Sequence, residues 1–202
     1  MKEVAAGTRI LIIDDNPERT HLLTQILASG SYEVLAPLPL MPQAVLTHQV
    51  AARCPDILLI GADFPGQAFL KGVASISECY PCPTVMFSED GCAATIQAAT
   101  RAGVSAYVVG KLTGARVKTI IEAAAARFRE LRALQRELEK TKANLAERKI
   151  IERAKEVIAQ QRGSSEAEAY QALRKMAMNR RKRLVEVAQD VLSVAEVLTS
   201  HH

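Results

Sequence analysis

Three sets of residues in this sequence have the types and spacing to do chemistry. The first is a run of cations, Arg174, Lys175, Arg180, Arg181, Lys182 and Arg183, with no acid between Glu168 and Glu186. Such a cluster attracts a phosphate backbone, and each phosphate it neutralises makes binding salt-dependent. Tyr170, one turn before Arg174, has an aromatic face on which an unpaired base can stack, and it is equally placed to pack in a small helical core. The second set lies at the ends of short apolar runs: Asp14 and Asp15, then Asp63, Ser88 and Lys111. The third is Cys79-Tyr-Pro-Cys82, which has redox or zinc spacing. No second ligand pair or nearby His accompanies it, so these cysteines, with Cys54 and Cys92, read as reduced thiols packed near a sheet edge.

The elements that must hold these residues alternate regularly up to about residue 114. Arg9–Ile13 is a short buried strand, and Pro17 then opens a helix through Leu22, Leu23, Ile26 and Leu27. Further strands follow at Tyr32–Ala36, Asp56–Ile60, Thr84–Phe87 and Ser105–Val109, separated by helical patterns through Ala44–Val50, Phe69–Ile76 and Ala93–Ala102. Strands that are continuously apolar rather than alternating belong to a parallel sheet covered on both faces. In such sheets chemistry gathers outside the carboxyl ends of the strands, where the acids and Ser88 fall.

Over roughly residues 8–114 this order resembles the receiver domain of two-component response regulators, carried by LIIDDNP, by Pro55–Pro65, by VMFS and by GVSAYVV. The resemblance implies an acidic pair that binds Mg²⁺, an aspartate after the third strand as phosphoacceptor, a hydroxyl after the fourth and a lysine after the fifth. Asp14, Asp15 and Ser88 match, but the acceptor position is Gly61 and the lysine position is Gly110, with Lys111 one residue late. A one-residue shift in a strand sends a side chain to the other face. Asp63, two residues past Gly61, is the substitute acceptor to consider, although in-line transfer tolerates displacement poorly. Asp14 and Asp15 either hold Mg²⁺ or remain as an acidic pair stabilising the strand–helix junction; no cofactor is otherwise required. The domain is expected to serve protein contacts and not catalysis.

From Ala115 to Gly163 Gly and Pro disappear. Ala124, Leu131, Leu138 and Leu145 recur every seven residues, with Ile121 and Phe128 at matching positions, which is the pattern of a coiled-coil seam. These six are the candidate dimerisation residues. Gln135 and Lys142 interrupt the seam, and Val117–Phe128 can also serve as the last helix of the receiver-like domain. Beyond it, Ile150, Ile151, Ala154, Val157 and Ile158 continue the helix to Gly163. Ser165 and Glu168 form a capping box opening a second helix, which Asn179 can end, and a third runs from Leu184 to Leu198.

Residues 147–198 resemble an ANTAR domain, the RNA-binding module of transcription antiterminators. The matching residues are Ala154-Lys155, Glu168-Ala169-Tyr170, Leu173-Arg174, Ala177-Met178 and Val187-Ala188, with Glu156 a small departure. The whole chain is similar to the AmiR/NasT family, and LIIDDNPER, VMFSED and LAERKIIERAK resemble its NasT branch of nitrate and nitrite assimilation regulators. The resemblance implies a homodimer that binds a leader mRNA with two adjacent hairpins and so prevents a terminator from forming. It also implies release from a periplasmic-binding-protein-like sensor, a control that suits the missing acceptor at Gly61. The RNA-binding candidates are Lys155, Tyr170, Arg174, Lys175, Arg180, Arg181 and Lys182. The competing readings are a DNA-binding or a phosphorylation-switched response regulator, and charge alone does not separate RNA from DNA.

Composition agrees with a globular regulator: 202 residues, 49% hydrophobic and 24% charged. Residues 1–114 carry seven Lys/Arg against ten Asp/Glu and the remainder nineteen against twelve, so a mildly acidic half precedes a basic one. No apolar run suits a membrane span and no signal-peptide pattern opens the chain, so a cytoplasmic location is expected. His201 and His202 are given no role. The expected organisation is a degenerate receiver over 1–114, a coiled-coil helix over 115–146 and a small three-helix RNA-binding domain over 147–202.

Overall fold

The computed structural model describes residues 7–30, 32–110 and 113–199; Lys111 and the terminal histidines lie outside them. The chain forms two compact units, Met1–Arg132 and Ala133–His202. In the first, strands β1 (Thr8–Ile13), β2 (Tyr32–Val34), β3 (Ile57–Gly61), β4 (Thr84–Ser88) and β5 (Ala106–Val109) form one sheet. All pairings are parallel and the order is β2-β1-β3-β4-β5. Helices α1 (Pro17–Ala28), α2 (Gln43–Arg53), α3 (Gln67–Cys79) and α4 (Ala93–Arg101) connect them. This is the receiver-like, flavodoxin-like order, whose switch point lies between β1 and β3.

Period-two alternation divides the strands between two cores. Leu11, Ile13, Leu58, Ile60 and Met86 pack on the side of α2, α3 and α4, against Leu46, Val50, Leu70, Val73, Ile76 and Ala99. Ile10, Ile12, Leu59, Val85 and Phe87 pack on the other side, against Leu23 and Leu27 of α1. Val117, Ile121, Ala124 and Ala125, from the start of the long helix α5 (Gly114–Arg162), complete that second core.

This corrects part of the expected seam. Ile121 and Ala124 are 0% and 1% exposed inside the sheet's core, so neither can face a partner helix. Further along, Leu131, Leu134, Leu138 and Leu145 are all about half exposed, at 50%, 56%, 54% and 54%. Including Leu134 restores the alternating three–four spacing: Leu131, Leu134, Leu138, Thr141, Leu145. The open stripe therefore runs past Gln135 and Lys142 and begins only after Phe128, which is half-buried.

In the second unit the last turns of α5 pack with α6 (Glu166–Arg180) and α7 (Leu184–Thr199). Gly163, at φ +59°, ends α5, a backbone setting natural to glycine. The capping box forms as read: Ser165 Oγ accepts from Glu168 N–H at 3.3 Å, and Glu168 Oε2 accepts from Ser165 N–H at 2.9 Å. Such caps are worth about 1 kcal/mol. The expected stop at Asn179 is not used. The helix runs on to Arg180, and Arg181 takes the left-handed conformation at φ +52°, its N–H bonding back to the Met178 carbonyl at 3.2 Å. The core is built from small residues, Ala154, Ala169, Ala177 and Ala188, around Leu173, Ile158 and Val187.

No helix among the described residues is long and apolar enough to cross a membrane. The cysteines are free. Of the four expected to be packed, only Cys82 is buried, and burial pushes its thiol up to about 12; Cys54, Cys79 and Cys92 are exposed.

Candidate nucleic-acid interface and the acidic pocket

The acids at the strand ends are tied down by a residue the motif did not single out. Asn16 caps α1, accepting from the Glu18 and Arg19 N–H groups at 3.0 and 3.1 Å, and Pro17 follows in the first turn. That fixes the entry of α1 so that Arg19 turns back over the sheet. Its Nε donates to Asp14 Oδ2 at 2.5 Å and its Nη2 to Asp14 Oδ1 at 2.8 Å, a fork on one carboxylate. Its Nη1 donates to Asp63 Oδ1. Asp14 accepts a further bond from Asn16 N–H at 2.8 Å, and its side chain is 1% exposed. Hydrogen bonding to Asp14, and then to Asp63, holds the Arg19 guanidinium's pKa above its ordinary value against the opposing effect of burial. Charge-assisted bonds of this kind contribute about 1.5–3 kcal/mol each.

The other receiver-type groups are engaged as well. Asp15 is exposed and turned aside, its Oδ1 accepting from Leu40 N–H at 2.7 Å. Ser88 Oγ donates to the Asp63 carbonyl at 2.9 Å and accepts from Asp90 N–H at 3.1 Å. Tyr107 Oη donates to the Asp90 carbonyl at 2.8 Å. Gly61 ends β3, and a Cβ there would lie 1.9 Å from Asp14 Oδ2 and 2.7 Å from Arg19 Nε. Asp14 and Arg19 therefore fill the space a side chain at position 61 would need. Among the described residues no three His, Cys, Asp or Glu converge as a metal site. The signal for Arg19 lay in the sequence as a cation five residues beyond Asp14, within the mildly acidic residues 1–114, facing a strand end that lacks the acceptor carboxylate.

On the second unit the basic residues separate into two classes. Arg180 Nη1 and Lys182 Nζ both approach Asp190 Oδ2, at 3.5 and 3.0 Å. Arg183 pairs with Glu147 at 2.8 Å. Lys155, only 14% exposed at its side chain, pairs with Glu152 at 2.6 Å and Glu166 at 3.5 Å. Arg174, Lys175 and Arg181 are exposed and have no ion pair among the described residues. Seen along the sequence the cluster is free of acids; in the fold, Asp190 reaches it from the second turn of α7 and Glu147 from α5.

Tyr170 is 38% exposed and its neighbour Ala169 fully buried, so the ring faces outward and Ala169 serves the core. Tyr170, Arg174 and Met178 follow one another at intervals of four on α6, hence on one face, and Met178 is 71% exposed. Sequence reading had Met178 only in the Ala177-Met178 match and not among the RNA-binding candidates. The face is thus an aromatic ring, a guanidinium and a flexible thioether in line, with Lys175 and Arg181 beside it.

Residues 139–192 match the ANTAR domain. Over 190 residues, 94% of this chain and 92% of the relative, the sequence is 27% identical to the transcriptional regulatory protein PdtaR of Mycobacterium tuberculosis. It is 48% identical over 65 residues, 32% of this chain and 16% of the relative, to a nitrate regulatory protein of Klebsiella oxytoca. The fold is similar to the signal receiver domain of a modulated diguanylate cyclase from Desulfovibrio desulfuricans (TM-score 0.52, 20% identity, covering 60% of this chain and 95% of that one). It is also similar to a LuxR-family two-component response regulator from Aurantimonas (TM-score 0.51, 24% identity, covering 59% and 86%).

Proposed function

We propose that this chain, an ANTAR-domain antitermination regulator with a receiver-like first unit, related to PdtaR and to a nitrate regulatory protein, binds a leader mRNA carrying two adjacent hairpins and blocks the terminator that would otherwise form. The observation that carries this reading is the exposed line Tyr170–Arg174–Met178 flanked by unpaired Lys175 and Arg181, on residues that match the ANTAR domain. Loop bases splayed from a hairpin can stack on the ring while the cations take the phosphates. Lys155, Arg180 and Lys182 serve at one remove, since each already has a carboxylate partner.

Two hairpins call for two copies of the interface, and the half-exposed leucines of α5 give a second copy its seam. With Gly61 in place of an acceptor and Arg19 holding Asp63, regulation by release from a periplasmic-binding-protein-like sensor suits the first unit better than phosphorylation does. The operons are those of nitrate or nitrite assimilation, and the protein works in the cytoplasm. A DNA-reading role for α7 is disfavoured by its start: Val185, Val187 and Ala188 are buried, and Glu186 points outward where a recognition helix needs base-reading groups.

Band-shift titrations with the two-hairpin leader, a single hairpin and duplex DNA test the proposal. Tight binding is expected to the two-hairpin RNA only, with read-through of the terminator in a purified transcription reaction. Preference for the duplex, or binding without read-through, would refute it.

A further inference from the structure

A receiver-type fold implies a divalent cation at the end of β1, held by the acidic pair and the acceptor carboxylate. The residues present do not suit that ion. The acceptor carboxylate is absent at Gly61, and Asp15 is turned to the Leu40 backbone. The remaining carboxylate, Asp14, has both oxygens on Arg19 and one of them also on Asn16 N–H. From this geometry we infer that Arg19 is the resident cation of the pocket, occupying with its guanidinium the place of the metal and bridging β1 to the β3–α3 loop through Asp14 and Asp63.

Several features support the assignment. The guanidinium side chain is 13% exposed and Asp14 1%, so the charges meet away from bulk water, where pairing matters most. A buried carboxylate without a cation would be costly, and Arg19 is the cation that contacts Asp14. A planar fork matches one carboxylate through two parallel bonds, which an ammonium group cannot do. The space test at position 61 points the same way: Asp14 and Arg19 lie where an acceptor side chain would stand, so the loss of that side chain and the insertion of the arginine are complementary. Ser88 then has the Asp63 carbonyl and the Asp90 N–H as partners, instead of an incoming phosphoryl oxygen. The buried carboxylate, Asp14, thus has its cation and its hydrogen-bond partners within the chain, and the unit is expected to keep one conformation whatever the metal concentration. None of this depends on what α6 and α7 bind.

The test uses the full-length chain with Mn²⁺ as the probe, followed by its electron paramagnetic resonance signal, and thermal melting in EDTA and in MgCl₂. The wild type is expected to show no saturable Mn²⁺ site that Asp14→Asn removes, and the same melting temperature in EDTA and in Mg²⁺ at matched ionic strength. Arg19→Gln is expected to melt about 5 °C or more lower in EDTA. It should also gain a saturable Mn²⁺ site that disappears in Arg19→Gln/Asp14→Asn. Saturable Mn²⁺ binding by the wild type at Asp14 would overturn the inference. So would a folded Arg19→Gln that neither loses stability nor gains a site. If Arg19→Gln fails to fold, the wild-type titration decides together with Arg19→Lys, which keeps the charge and is expected to fold, bind no Mn²⁺ and melt between the two.

Discussion

Removing Arg174 and removing Arg180 are predicted to affect RNA binding by different amounts, although both are exposed arginines of the same cluster. Arg174 has no ion pair among the described residues, whereas Arg180 shares Asp190 with Lys182 at 3.5 Å. Each phosphate neutralised contributes about 0.7–0.9 to the slope of log K against log salt, by releasing a counterion. A free arginine brings that full contribution. An arginine that must first share its charge with a carboxylate brings a fraction of it. Arg174→Ala should therefore lower the slope by about 0.7–0.9, so that the mutant's deficit is about 3-fold larger at 50 mM salt than at 200 mM. Arg180→Ala should lower it by less than half as much. The assay is fluorescence anisotropy of a labelled two-hairpin leader at several KCl concentrations, with an unrelated single strand as control. Equal slope changes in the two mutants would show that pairing with Asp190 is irrelevant in solution. No slope change in Arg174→Ala would remove α6 from the interface.

Asp190→Asn should free Arg180 and Lys182 together, tightening RNA binding about 2–5-fold at low salt and steepening the salt slope; surface pairs are worth only about 0–1 kcal/mol, so folding stability should barely change on melting. Leu134→Asp/Leu138→Asp should convert the proposed dimer to monomer by light scattering while leaving the first unit's melting intact, because both side chains are about half exposed. Gly61→Ala should destabilise the first unit by about 1–3 kcal/mol in urea unfolding, since its Cβ would have to displace Asp14 Oδ2 from 1.9 Å.

Much of this was legible because local pattern and burial agreed. Five apolar runs became five strands whose ends shifted by one or two residues, and Ser165 with Glu168 announced the start of α6. What was not legible depended on which surfaces meet. The seven-residue repeat through Ile121, Ala124 and Leu131 looks uniform in sequence, yet the sheet covers Ile121 and Ala124 and leaves Leu131 half exposed. The basic cluster looks free of acids until α7 brings Asp190 beside Arg180 and Lys182, and α5 brings Glu147, 36 residues away, to Arg183. Asn179 has a known tolerance for left-handed backbone, but the helix runs one residue further, to Arg180, and Arg181 takes that conformation instead. Arg19 was hidden because a substitution elsewhere, at Gly61, made room for Asp14 and its guanidinium partner.

Arg181 marks a place where folding and binding make opposite demands. At φ +52° it holds a backbone geometry that glycine adopts freely and that strains a residue with a Cβ by about 1–2 kcal/mol. Arg181→Gly would thus make the three-helix unit more stable while removing one of the three cations of the 174–183 cluster that have no ion pair among the described residues. Screening this protein for heat resistance would select that change readily and would return a sturdier domain with a weaker grip on RNA.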